Sequence, residues 1–137
     1  MLDDLGLEEA LIWYVSEYRK RTEIVYKLSI EYDLTLLNKH LSVAIYRMIQ
    51  EALTNVWRHA KASKVKISIS EENDKLKIKI MDNGIGITQE QIDDSTSFGL
   101  MGIEERALSM NGYSRISGKE GEGTTLEIVL GIGNSSL

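Results

Sequence analysis

The sequence predicts a two-layer α/β sandwich: an open mixed sheet, mostly antiparallel, with about three helices on one face. Three observations predict it. "KVKISIS" and "DKLKIKIMD" each alternate apolar and polar residues and are joined by "EEND", which reads as a β-hairpin. Between about 40 and 60, apolar residues recur at helical spacing at Leu41, Ala44, Ile45, Met48, Ala52 and Val56. The chain has 137 residues, 42% of them hydrophobic, enough for one real core. No repeat, low-complexity stretch or linker divides it, so residues 1–137 are expected to form a single domain.

The elements follow in order. Asp4 precedes Leu7, Ala10, Leu11, Tyr14, Val15 and Tyr18, with acids at the front and Arg19, Lys20 and Arg21 at the back. Those charges complement a helix dipole, so the spacing predicts a helix over roughly 7–21. "EIVYKLSIEY" alternates Ile24, Tyr26, Leu28, Ile30 and Tyr32 with less apolar neighbours and reads as a strand. "DLTLLNKHLS" connects it to the long helix, and the hairpin comes next. "NGIGITQEQIDDSTSFGLMG" is polar and glycine-bearing, with a helical turn expected near Thr88. Loops of that length in compact domains are usually functional lids. A helix at about 102–110, a strand at "YSRIS", a turn at "GKEGEG" and a last strand at "TTLEIVLGI" complete the order, with "GNSSL" as a frayed tail.

Composition excludes several functions. A formal net charge of −5, with no Lys/Arg run that suggests a basic groove, argues against a nucleic-acid partner. Without cysteine there is neither a disulfide framework nor a thiolate metal site. No apolar run approaches the roughly 20 residues that span a bilayer, so this segment is expected to make no membrane contact. The acidic start "MLDDLGLEEAL" is unlike a signal peptide, and a cytoplasmic location is expected.

Four stretches carry candidate chemistry. On the long helix, Glu51, Asn55, Arg58 and His59 stand at i, i+4, i+7 and i+8 and share one stripe beside the apolar face. A solvated edge with Glu-to-Arg or Glu-to-His pairing is the ordinary explanation. Asn55 argues for more, since asparagine is a mediocre helix former whose amide suits a specific hydrogen bond or a metal. In "IMDNGIGI", Asp82 continues the inward series Leu76, Ile78 and Ile80, a costly place for a carboxylate without donors. There it is suited to accept from an exocyclic amine, and Gly84 and Gly86 let backbone approach a flat ring. In "SFGLMGIEERA", Gly99 and Gly102 flank a helix start, where free N–H groups favour phosphate. In "GEGTTLEI", Gly121 and Gly123 form a turn before Thr124 opens a strand. Competing signatures fail: there is no Gly-Lys-Ser/Thr, and Gln89 stands where a dinucleotide fingerprint needs its third glycine. Neither histidine belongs to a metal-binding pair, and His40 reads as a surface or capping residue.

Taken in order, these stretches resemble the four boxes of the ATP-binding domain shared by sensor histidine kinases, gyrase, the mismatch-repair protein MutL and heat-shock-90 chaperones, the Bergerat or GHKL fold. The resemblance spans nearly the whole chain. "LDDLGLEEALIWYVSEY", "IYRMIQEALTNVWRHAKAS" and "FGLMGIEERA" are similar, more narrowly, to kinases that signal to response regulators with helix-turn-helix output domains. The resemblance implies ATP and Mg²⁺ as ligands, with Asn55 coordinating the cation. Glu51 matches the acid that activates water in hydrolysing relatives; a base and a metal-shell role both stand open for it here. Arg58 and His59 match positions that reach the phosphates or ring edge, and Asp82 matches the adenine-reading carboxylate. Gly84 and Gly86 would admit adenine. Gly99, Leu100, Met101 and Gly102 would offer N–H groups to the phosphates, and Thr124 would assist Asp82 through water.

The implied reaction is transfer of the γ-phosphate to a histidine on a separate dimerisation domain, with a response regulator as indirect partner. Neither His40-Leu41 nor His59-Ala60 matches the family's acceptor, a histidine followed by an acid, so the chain alone is expected to bind ATP without phosphorylating itself. Met1 reads as a residue added to an excised catalytic domain. Two other readings share the fold, a conformational ATPase with Glu51 activating water and an anti-sigma-factor serine kinase. One departure is Glu23, where the subclass usually carries glycine; only a local turn change is expected.

Overall fold

Side-chain alternation decides which face of each strand is covered, and here it sets the layer order. The computed structural model describes residues 2–93 and 100–132. Its elements are α1 (Leu2–Thr22), β1 (Val25–Ile30), a short 3₁₀ turn (Leu34–Leu36), α2 (Lys39–Asn55) continued by a π-helical turn (Val56–Ala60), β2 (Lys64–Glu72), β3 (Lys75–Asp82), α3 (Gln89–Asp93), α4 (Leu100–Ser109), β4 (Tyr113–Lys119) and β5 (Gly123–Gly131). The strands form one five-stranded sheet in the order β1-β2-β3-β5-β4. Only β1 and β2 run parallel, in the register Val25↔Lys64, with α2 in the crossover between them. The other three pairings are antiparallel.

On one face of the sheet Val65, Ile67, Ile69, Leu76, Ile78, Ile80, Leu126, Ile128 and Leu130 are buried. Leu11, Val15 and Tyr18 of α1, Ile45, Met48, Ile49 and Leu53 of α2, and Ile103 and Ala107 of α4 pack against them in one core. The opposite face of the sheet carries Lys66, Lys77, Lys79 and Glu127 from the same strands and Arg115 from β4. Across β4 and β5, Arg115 pairs with Glu127 and holds its carboxyl below the usual range, with help from Lys77 and Lys79. The two-layer sandwich read from the sequence is thus the observed architecture.

Local signals account for the element ends. In α1 the helix breaks at Gly6 (φ 82°, ψ 172°), so the regular helix starts at Leu7. Asn38 caps α2, its side-chain oxygen accepting from the Leu41 N–H at 2.8 Å. Thr88 and Gln91 form a reciprocal capping box ahead of α3: the Thr88 N–H donates to Gln91 Oε1 at 2.9 Å, and the Gln91 N–H donates to Thr88 Oγ1 at 3.2 Å. The long helix is the main difference from expectation. Its periodicity predicts one α-helix to about residue 60, whereas the last five residues form a π turn that ends in left-handed Lys61. The tail at 133–137 lies outside the described residues.

Glu23 closes α1. Its N–H donates to the Arg19 carbonyl at 2.8 Å, and its φ is 64°, a left-handed geometry that suits glycine. The exposed side chain gains no packing there, so the residue bears strain while the turn keeps a glycine-like shape. Glu23→Gly is expected to stabilise the domain by about 0.5–1 kcal/mol, a rise of about 2–4 °C in thermal melting. A lower melting temperature would show that this turn is not strained.

Candidate functional site

An open cleft, about 480 Å³ with the solvent space at its mouth included, lies between the end of α2 and the ends of the central strands. Ala52, Asn55, Val56, His59 and Ala60 line it from α2 and its π turn; Ile80, Asp82, Thr124, Leu126 and Ile116 line it from the sheet. Gly86 and Ile87 close one side and Leu100, at the start of α4, another. Its apolar wall with a few convergent polar groups suits a flat ring with a polar edge.

Strand alternation delivers Asp82 to this place. Leu76, Ile78 and Ile80 face the helices, and Asp82 is next in the series, at the point where β3 leaves the core. It stands opposite Thr124 of β5 in the antiparallel register. Burial raises the Asp82 pKa above its ordinary value; the backbone N–H groups of Gly84 and Thr124 donate to the carboxylate and oppose that shift. The Gly84 N–H lies 2.8 Å from Oδ1. These two donors do not exhaust a carboxylate that can accept several bonds, so acceptor capacity remains for a ligand.

The loop after Asp82 is fastened on both sides. Asn83 Oδ1 accepts from the N–H groups of Ser63 and Lys64, each at 2.9 Å, and its amide nitrogen donates to Ser63 Oγ at 2.9 Å. The Ile85 N–H donates to the Ala60 carbonyl at 2.7 Å, and the Gly121 N–H donates to the Ile85 carbonyl at 2.7 Å. Gly84 is required by proximity, because a methyl there would overlap the Ala60 carbonyl oxygen. Gly86 has a φ of 84°, and a methyl on it would meet the Lys119 carbonyl oxygen. Both glycines thereby tie the floor of the cleft to the end of α2 and to the β4–β5 turn.

Of the residues singled out from the sequence, the structure brings Asn55, His59, Asp82, Gly86, Leu100 and Thr124 together around the cleft. Glu51, Arg58 and Met101 are exposed, Gly84 is buried and Gly102 half-buried, and none of these five lines the cleft. Gly99 lies outside the described residues. The sequence reading did not pick out the wall formed by Ile80, Ile87, Ile116 and Leu126. The inward positions of β3, β4 and β5 were a signal for three of them. Ile87, buried behind two glycines, had none.

Among the described residues, no group of three or more His, Cys, Asp or Glu side chains can hold a metal ion. A cation bound here would take most of its oxygens from a ligand and from water, which is the habit of Mg²⁺. Among the described residues of the helix that line the cleft, Asn55 carries a side-chain oxygen of the kind such a cation takes. The donor set fits a magnesium–polyphosphate complex and does not fit a resident metal cage.

Residues 40–133 match the family model "Histidine kinase-, DNA gyrase B-, and HSP90-like ATPase", and the chain belongs to that family. Its relatives include signalling enzymes. It is 38% identical over 129 residues to the sensor histidine kinase LiaS of Bacillus subtilis, covering 93% of this chain and 34% of that protein. It is 37% identical over 131 residues to the signal transduction histidine-protein kinase/phosphatase DegS of Brevibacillus brevis, covering 96% of this chain and 34% of that one. The chain thus spans about a third of the length of these relatives. Two solved structures share the fold. The histidine kinase domain of a blue-light activated kinase from Erythrobacter litoralis superposes with a TM-score of 0.76 at 19% identity, covering 92% of this chain and 61% of that one. Acinetobacter baumannii histidine kinase AdeS gives 0.71 at 20% identity, covering 94% of this chain and 64% of that one. An ATP-binding domain of the histidine kinase type is therefore the class that fold and family define.

Proposed function

We propose that this chain is the catalytic domain of a two-component sensor histidine kinase, a single domain that binds Mg-ATP in the cleft and presents the γ-phosphate to a histidine on a separate dimerisation domain. The observation that carries this reading is the convergence of Asn55 and Asp82 on one cavity from different elements. In the proposed complex, Asp82 accepts from the exocyclic amine of adenine, and Thr124 keeps the carboxylate oriented through its backbone N–H. Ile80, Ile87, Ile116 and Leu126 bury the ring. Asn55 and His59 face the phosphates, with Leu100 marking where α4 begins and where backbone N–H groups are available to them. Magnesium, when bound with ATP, offsets phosphate charge, and Asn55 is the residue that would hold it.

Phosphoryl transfer is mostly positioning and charge stabilisation, so such a domain needs no covalent nucleophile of its own. Glu51 and Arg58 are exposed outside the lining of the cleft. Their part in this reading is at its rim, toward the incoming acceptor. The dimerisation domain and, through it, a response regulator are the proposed partners, and the cytosol, which supplies ATP, is the proposed compartment. Among the described residues no helix is long and apolar enough to cross a membrane.

Reconstitution tests the proposal. The chain, mixed with labelled Mg-ATP and a histidine-bearing dimerisation domain from a similar kinase, is expected to place acid-labile, base-stable label on that domain's histidine. Steady phosphate release without the acceptor, and no labelled histidine with it, would move the assignment to a hydrolysing ATPase.

A further inference from the structure

Tyr18 lies on α1, outside the four sequence stretches and outside the lining of the cleft, yet it reaches the helix that forms one wall. Its side chain is 1% exposed, and its hydroxyl donates to the Leu53 carbonyl at 2.7 Å. Leu53 sits two residues before Asn55, where α2 changes from α to π geometry. The Val56 N–H is shared there between the Ala52 and Leu53 carbonyls, and the π turn begins at Val56. A carbonyl oxygen has two lone pairs, so the Leu53 carbonyl, which already takes a share of the Val56 N–H, has room for a second donor at the junction. Tyr18 supplies it. Burial pushes the Tyr18 phenol far above its ordinary range, and the nearby Tyr14 and Asp82 add to the shift. The hydroxyl therefore remains a proton donor at any working pH.

The other end of the π turn is also fastened. The Ala60 carbonyl accepts from the Ile85 N–H at 2.7 Å, in the loop that follows Asp82. One anchor lies before the turn and one at its last residue, and Asn55 and His59 line the cleft between them. We infer that Tyr18 is a positioning residue for the nucleotide site, its hydroxyl holding the α-to-π junction so that Asn55 and His59 face the cleft. This inference rests on the cleft being the ATP site for its effect on affinity, but not for its effect on the helix.

Tyr18→Phe keeps the ring and removes the donor. Its Mg-ATP dissociation constant is expected to rise about threefold to tenfold, the size of one lost hydrogen bond. Ile69→Val, a core change in β2 outside the cleft lining, serves as a stability control and is expected to bind as the parent does. In the unliganded chain, amide hydrogen exchange at Val56–Ala60 should quicken by about tenfold in Tyr18→Phe relative to the β2–β3 amides. If Tyr18→Phe loses stability like the control, binds Mg-ATP as the parent does and leaves exchange at Val56–Ala60 unchanged, Tyr18 is packing alone. If the parent itself fails to bind Mg-ATP, the functional reading falls, and the exchange comparison still decides whether Tyr18 holds the junction.

Discussion

Replacing Asp82 with Asn is expected to remove nearly all of the rise in melting temperature that Mg-ATP gives the parent chain, while the unliganded domain stays at least as stable. A charged hydrogen bond to the ligand is worth about 1.5–3 kcal/mol, so its loss weakens binding by about 10- to 150-fold. Asn also turns an amide N–H₂ toward the adenine amine, setting donor against donor. At a ligand concentration 100 times the parent dissociation constant, binding stabilises by about 2.7 kcal/mol; after a 100-fold loss about 0.4 kcal/mol remains. For a chain of this size the shift would fall from about 8 °C to about 1 °C.

The unliganded comparison has a defined sign. Burial holds the folded pKa of Asp82 above its unfolded value, so the ionised group costs stability. That cost is absent below the unfolded value and complete above the folded one. Asp82→Asn should therefore gain relative to the parent as pH rises from the unfolded carboxyl value through the raised folded one. A ligand-induced shift of full size in the variant would remove Asp82 from the ring-recognition role.

Gly84→Ala is expected to have the largest effect on the fold itself. A β-carbon at residue 84 overlaps the backbone carbonyl of Ala60, which cannot swing aside as a flexible side chain would. Making room separates the loop from α2 and breaks the Ile85-to-Ala60 hydrogen bond, one of the two anchors of the π turn. Forced overpacking against backbone costs about 3 kcal/mol, or about 9–12 °C in melting temperature. Mg-ATP affinity should fall further than stability alone explains, because Asn55 and His59 move with the turn. A variant that melts within a degree of the parent would show that the contact is soft.

Most of the architecture was legible because it rests on periodicity. β2 and β3 alternate cleanly, and the observed hairpin pairs Val65 with Asp82 in the register that this alternation demands. Asp82 could be placed at a cavity from sequence because two-residue alternation forced it inward. The π turn could not be read. The apolar spacing of α2 fits an α-helix through Val56, and the groups bonded to the carbonyls at either end of the turn, Tyr18 and Ile85, lie 35 residues before Leu53 and on the far side of the hairpin. Asn83 is a second feature that local sequence does not reveal. Asp-Asn-Gly reads as a generic turn, whereas Asn83 clamps the entry of β2 through three hydrogen bonds. Gly84 and Gly86 were credited to ring access, and the structure adds a second demand from chain crossings at Ala60 and Lys119. Such constraints arise from segments meeting in space and leave no local trace.

In the proposed complex the hollow between the end of α2 and the end of β3 receives a magnesium-bound adenine nucleotide. The most direct test is a titration of the chain with Mg-ATP followed residue by residue through its backbone amide resonances. Saturable shifts are expected at Asn55–Ala60, Asp82–Ile87 and Thr124, with little change along β1 or the far half of α1. Saturable shifts confined to the separate groove between Leu5 and Ser42, or no saturable shift at all, would contradict it.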